Sequence, residues 1–176
     1  MKTLTLLRHA KSGWDVPVAR DFDRPLNARG RKAARAIGRE MRRLGLGYDL
    51  VLASPAVRVT ETLTEVAQGY GAAVDTRFDE TIYLAPVETL LALVRATDDA
   101  DARLLLVGHN PGMEQLALLL SEAGALRDEI AAKYPTGALA EIGFEAAYWH
   151  EVAPGEGRLA RFIRPRELAE GLGPDD

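Results

Sequence analysis

Apolar residues recur along this chain with two spacings. Runs at residues 3–7, 49–53 and 103–108 are mostly aliphatic or β-branched and too short for helices, so each predicts a buried strand. Two further strands are expected at 138–144 and 158–163, at one edge of the same sheet, and a short extended segment at 74–78. Between them the spacing changes to that of a helical face. Ala33, Ile37, Met41 and Leu44 mark a helix over 28–44, with Asn27 as its cap and Gly45 and Gly47 as its stop. Val59, Leu63, Val66 and Ala67 mark a second, opened by Ser54 as cap and Pro55 at the first helical position. Val87, Leu90, Leu91 and Val94 mark a third after Ala85-Pro86. Met113, Leu116, Ala117 and Leu120 mark a fourth, capped by Asn110 and opened by Pro111, and residues 125–133 form a fifth.

Strands that alternate with helices predict an α/β fold whose mostly parallel central sheet is covered by helices on both faces. The C-terminal third departs from that alternation, and Pro154-Gly155-Glu156-Gly157 is its hairpin turn. One domain is expected over residues 1–165. Residues 166–176 read as a polar C-terminal tail, one helical turn and then disorder. No internal repeat or linker is visible.

Composition narrows the chemistry by subtraction. With 176 residues the chain is long enough to bury a core unaided, and 47% apolar with 27% charged residues is ordinary for a globular protein. It has no cysteine, which removes disulfides, thiolate metal sites and a cysteine nucleophile. The N-terminal apolar run is broken by Arg8 and is no signal peptide, and no stretch approaches the roughly 18 apolar residues of a membrane span. A cytoplasmic monomer without membrane partners is expected. A net charge of -4 argues against a nucleic-acid partner. The exception is the first helix, whose outer face carries Arg31, Lys32, Arg35, Arg39, Arg42 and Arg43 with Glu40 as its only acid. That face reads first as solvated surface, and second as an electrostatic guide for an anionic substrate or an acidic partner.

The candidate chemistry lies where strands end. The first strand runs into Arg8 and His9, the second into Ser54 with Arg58 one turn into the next helix, and the third into His109. Ligand sites of open α/β sheets collect at the carboxyl ends of strands. If these three strands are neighbours, two histidines and two arginines converge. Arg8 beside His9 disfavours a second positive charge and keeps the imidazole neutral, hence nucleophilic. Guanidinium forks hold phosphoryl oxygens, so the set suits phosphoryl transfer, with the arginines supplying the charge of a metal ion. No cofactor and no metal are expected, since an adjacent arginine repels a cation. The phosphate-binding P-loop, the G-x-G-x-x-G, H-E-x-x-H and G-x-S-x-G motifs are all missing.

Four stretches in order, R-H-A-K-S-x-W from Arg8, D-F-D-R-P-L-N-x-R-G from Asp21, S-P-x-x-R-x-x-x-T from Ser54 and V-G-H-N-P-G from Val107, resemble the histidine phosphatase superfamily. The likeness is strongest to its small SixA-type phosphohistidine phosphatases, and Tyr134-Pro135-Thr136-Gly137-Ala138 also fits that subfamily. The resemblance implies a three-layer α/β/α fold and a ping-pong reaction. His9 would become phosphorylated, Arg8 and Arg58 would clamp the phosphate, and His109 would stabilise the transferring group. Glu80 matches the position of the general acid in phosphoglycerate mutase relatives. Asp15 stands where mutase-like members carry a phosphate-holding asparagine, so either it points away to pair with an arginine or the pocket differs, with Ser12 as a neutral alternative donor. Trp14 and His150 read as packing or structural residues, and Thr136 as a hydroxyl donor or a boundary residue.

The short connections at 76–85 and 120–137 leave little chain for a cap over the site. An open site favours phosphohistidine carried on a protein such as a histidine phosphotransfer domain. The alternatives are a small phosphomonoester substrate, or mutase chemistry, or a non-catalytic phosphate-binding regulatory module that uses the same pocket.

Overall fold

The computed structural model describes residues 1–169 and 172. Six strands form one sheet: β1 (Lys2–Arg8), β2 (Leu50–Ala53), β3 (Arg77–Phe78), β4 (Arg103–Gly108), β5 (Leu139–Phe144) and β6 (Arg158–Ile163). Their order is β3-β2-β4-β1-β5-β6. The first four run parallel, and β5 and β6 are antiparallel at one side, as expected for the C-terminal third.

Alternation along the strands sorts the core into two layers. Leu4, Leu6, Leu104 and Leu106 face α3 (Val87–Arg95), α4 (Gly112–Leu120) and α5 (Ala125–Ala132), through Leu90, Met113, Leu116 and Ile130. Leu7, Val51, Leu105 and Val107 point the other way, toward α1 (Ala28–Arg43) and α2 (Val57–Tyr70), where Ile37, Met41, Val59 and Leu63 meet them. The two covered faces make the three-layer α/β/α arrangement.

Helix starts follow local chemistry, with two departures. Asn27 caps α1 by accepting the Gly30 amide at 2.8 Å. The start of α2 is later than the Ser54-Pro55 pair predicts. The helix begins at Val57 because Ser54 has turned its hydroxyl to other partners and Ala56 occupies the cap position. Pro111 likewise sits at the cap position of α4, while Asn110 accepts the Glu114 amide at 3.2 Å and thus still serves the first turn.

The expected polar tail is not wholly polar in its packing. After a short 3₁₀ turn (Pro165–Glu167), Leu168 and Ala169 pack against Ala33 and Ala36 of α1 together with Leu172, which is only 5% exposed. Arg29 donates to the Leu172 carbonyl. The disorder expected for the end of the chain concerns residues 170, 171 and 173–176, which lie outside those described.

The basic face of α1 is largely engaged inside the molecule. Arg31 pairs with Glu61 at 2.9 Å, Arg35 with Glu65, both acids on α2, and Arg43 with Glu40. Trp14, expected to pack, is 72% exposed on a loop, and one face of its ring carries the Arg24 guanidinium at 4.3 Å. His150 is exposed and stacks on Tyr148. No described helix is long and apolar enough to cross a membrane.

Candidate active site

The sheet order puts β4 between β1 and β2, so the three strand ends singled out in the sequence are adjacent. Registers Arg8↔Gly108 and Ala53↔Val107 bring them level. The chain beyond each end forms an open cavity of about 500 Å³ lined by Arg8, His9, Lys11, Ser12, Asp21, Arg24, Arg58, Leu84, His109, Asn110 and Thr136. Of the expected site residues it gathers Arg8, His9, Ser12, Arg58 and His109. Glu80 is not among its lining residues; it is exposed, at the first position of a 3₁₀ turn (Glu80–Ile82). Asp15 is exposed too and is not part of the lining.

His9 is locked by its own backbone neighbourhood. Its amide donates to Gly108 at 3.0 Å, and the Ala10 amide donates to the Thr62 hydroxyl at 2.9 Å, which ties the turn after the strand to α2. Ring atom Nδ1 lies 2.7 Å from the Ala10 carbonyl. A carbonyl can only accept, so Nδ1 carries the proton and Nε2 presents its lone pair. Burial pushes the His9 ring well below the ordinary histidine range; the Ala10 hydrogen bond opposes this, and the charges of His109, Arg8 and Arg58 reinforce it. The imidazole is therefore neutral at pH 7. Arg8 contributes to that neutrality, but burial is the larger cause.

His109 faces it with ring centroids 5.3 Å apart. Its pKa is lowered to about 4, first by burial and then by Arg58, with Asp21 acting in the opposite sense. Tyr83 holds the ring edge-on, at 5.3 Å and 85°.

Arg58 enters from the first turn of α2 and is 2% exposed. Its Nη1 donates to the Asp21 carbonyl and its Nη2 to the Asp21 carboxylate, both at 2.9 Å. The Tyr83 hydroxyl donates to the same carboxylate at 2.7 Å, and Arg24 approaches its other oxygen at 3.2 Å. Partial burial works to raise the Asp21 carboxyl, but the Tyr83 hydrogen bond and the Arg58 charge prevail and hold it at about 2. Arg24 also donates to Ser12, and Arg8 donates to the Tyr134 carbonyl at 2.9 Å. Gly137 closes the far side, its amide donating to the His9 carbonyl at 2.9 Å from a left-handed turn (φ 75°) that suits glycine.

Asp21, Arg24, Tyr83 and Asn110 escape a reading of strand ends. Asp21 and Arg24 belong to a stretch whose Pro and Asn signal only a turn and a helix start, although its dense alternating charge hints at ion pairing. Nothing in the sequence marks Tyr83. Among the described residues, no cluster of three or more His, Asp or Glu is placed to hold a metal ion.

A neutral, tautomer-fixed imidazole among guanidinium groups at the carboxyl ends of parallel strands is an arrangement that suits phosphoryl transfer. The match to known proteins agrees. The model of the histidine phosphatase superfamily (branch 1) fits residues 4–142, and the chain belongs to that superfamily and is a phosphatase. It is 34% identical over 164 residues to an uncharacterized protein of Mycobacterium tuberculosis, covering 91% of this chain and 100% of the relative. Among solved structures it is similar to a protein assigned as phosphohistidine phosphatase SixA from Agrobacterium tumefaciens, with a TM-score of 0.79 and 30% identity over 93% of this chain and 98% of that one. A SixA assigned from Nakamurella multipartita gives a TM-score of 0.80 at 29% identity, over 93% and 96% of the two chains.

Proposed function

We propose that this phosphatase hydrolyses phosphohistidine on a protein through a phosphohistidine intermediate at His9, without a metal ion. The observation that carries the reading is the His9 ring, held by the Ala10 carbonyl so that a neutral Nε2 faces the guanidinium-lined cavity. In the first half-reaction Nε2 attacks phosphorus, an N–P bond forms to His9, and the bond to the substrate imidazole breaks. That imidazole departs with the proton its ring already carries. In the second, water attacks phosphorus, the N–P bond to His9 breaks, and phosphate leaves with the Nε2 lone pair restored. Arg8 and Arg58 stabilise charge on the equatorial oxygens in both steps, the work that a metal ion does elsewhere.

A ring-protonated leaving group needs no added acid, so the exposed position of Glu80 is compatible with turnover. Protein as substrate is supported by the open mouth of the cavity, lined by the exposed side chain of Leu84 and by Arg24, on which the exposed Trp14 ring stacks. The similarity to solved SixA-type proteins supports the same class of substrate.

The test is a phosphatase assay on a phosphohistidine-bearing protein and a panel of small phosphomonoesters, with His9→Ala alongside and with a chelator present. Preference for the protein substrate, unaffected by chelation and lost together with the phosphoenzyme in His9→Ala, is expected. Turnover of small esters alone would move the substrate to metabolism. Turnover by His9→Ala, or inhibition by the chelator, would overturn the mechanism.

A further inference from the structure

Ser54 is fully buried and stands behind the cavity wall, not on it. Its oxygen accepts the Ala56 amide at 3.3 Å and lies 2.8 Å from Nε2 of His109. A hydroxyl has one proton to place and two lone pairs to offer. The amide is itself a donor, so of these two neighbours only Nε2 can receive the hydroxyl proton. His109 then carries its own proton on Nδ1.

The second ring nitrogen points to the same tautomer. Nδ1 of His109 is buried and has no hydrogen-bond partner among the described residues, in a side chain that lines the cavity. As an N–H it is a donor that lacks only an acceptor, which a phosphoryl oxygen supplies. In the other tautomer it would be a buried lone pair beside an anion, and the Ser54 hydroxyl would lose its acceptor as well. Leaving buried polar groups unsatisfied is costly, so the first arrangement is favoured on both counts. Because burial keeps this ring uncharged at neutral pH, its tautomer decides what it offers a phosphate.

We propose that Ser54 is a positioning residue that donates to Nε2 of His109 and so fixes Nδ1–H as a neutral hydrogen-bond donor to the transferring phosphoryl group. The proposal rests on the phosphatase reading above and adds to it the device that orients the second histidine. No bond to phosphorus is made or broken at His109. Its Nδ1–H stabilises charge on an equatorial oxygen as the group moves to and from His9.

Long-range proton–nitrogen correlation spectra of isotope-labelled histidines distinguish the two neutral tautomers without substrate or turnover. The wild-type His109 resonances, assigned by their loss in His109→Gln, are expected in the Nδ1–H pattern. In Ser54→Ala they should move toward a tautomer mixture, with phosphoenzyme formation slowed at least about tenfold and at most by the roughly 10²–10³ of a donor lost outright. Ser54→Thr, which keeps a hydroxyl, should recover both the pattern and the rate. An Nε2–H pattern in the wild type overturns the proposal even if His9 is phosphorylated, and it does so whether or not Ser54→Ala folds. An unchanged tautomer with an unchanged rate in Ser54→Ala overturns it too. If the pattern is Nδ1–H but no phosphoenzyme forms, the phosphatase reading falls while the Ser54–His109 assignment stands.

Discussion

In the proposed reaction Arg58 would do two things with one guanidinium: answer the Asp21 carboxylate and hold a phosphate. Replacing it by Ala should cost on the order of 2.7–4 kcal/mol in the barrier, a loss of about 10²–10³ in turnover, as for other preorganised donors. A loss under tenfold in a steady-state assay would place Arg58 outside the reaction. Asp21→Asn separates the two demands, since it keeps the shape that Tyr83 and Arg58 grip but removes a charge beside the phosphate. Inorganic phosphate should inhibit this variant roughly fivefold more tightly, the effect of about 1 kcal/mol of like-charge repulsion in a wet site. Unchanged or weaker inhibition would mean that Asp21 serves only to hold Arg58. Much of this placement was legible residue by residue: Arg8, His9 and His109 stand directly at strand ends, where position in the chain dictates position in space. Asp21 and Tyr83 were not, because they reach the cavity from loops whose course depends on tertiary contacts. The reason for His9 neutrality was also only half visible, since Arg8 can be read from the sequence and burial cannot.

Helices α1 and α2 meet through glycine. A Cβ on Gly38 would lie 2.2 Å from the Val66 carbonyl oxygen, and one on Gly69 would lie 2.1 Å from that of Arg35. Alanine would favour an isolated helix by about 1 kcal/mol over glycine. Here the contact is backbone on backbone and cannot yield by a rotamer change, so overpacking of about 1–3 kcal/mol should prevail. Gly38→Ala is therefore expected to lower the Tm despite its better helix propensity. A raised Tm in calorimetry would show that the helices can part at little cost. The same element shows why binary patterning succeeded here and faltered elsewhere. Ala33, Ile37 and Met41 announced the buried face of α1 through their spacing. By contrast, Ser54 looked like a cap because capping is its usual use, and its hydroxyl was claimed by a histidine from another strand.

For the molecule as a whole, the buried histidines set an acid limit. A histidine whose folded pKa lies below its unfolded value binds more protons when unfolded, so its stabilisation is complete above the unfolded value and is lost as pH falls. For His109 the window runs from 6.5 down to about 4, and at about 1.36 kcal/mol per unit the loss is about 3 kcal/mol. His9 shifts in the same direction and adds to it. Asp21 acts in a separate, lower window: its stabilisation is present above the ordinary 3.8 and is lost as pH falls through about 2. Denaturant unfolding should thus show stability falling between pH 6.5 and 4, and His109→Gln should flatten that slope; an equal slope in both would refute the assignment.

The central place of β1 in the sheet bears on how the chain is made. It pairs with β4 and β5, and its register Thr3↔Arg103 spans a hundred residues of chain. At roughly 5–20 residues per second of synthesis, the strand that leads into His9 waits about 5–20 s before its first partner exists. In that interval an apolar segment has no edge to join, and long-range pairing of this kind folds slowly even afterwards. Ribosome-stalled chains ending before residue 139 should leave β1 open to protease, with protection arriving only once β5 has cleared the exit tunnel. The strand leading into His9 is thus translated about a hundred residues before the strand that first pairs with it.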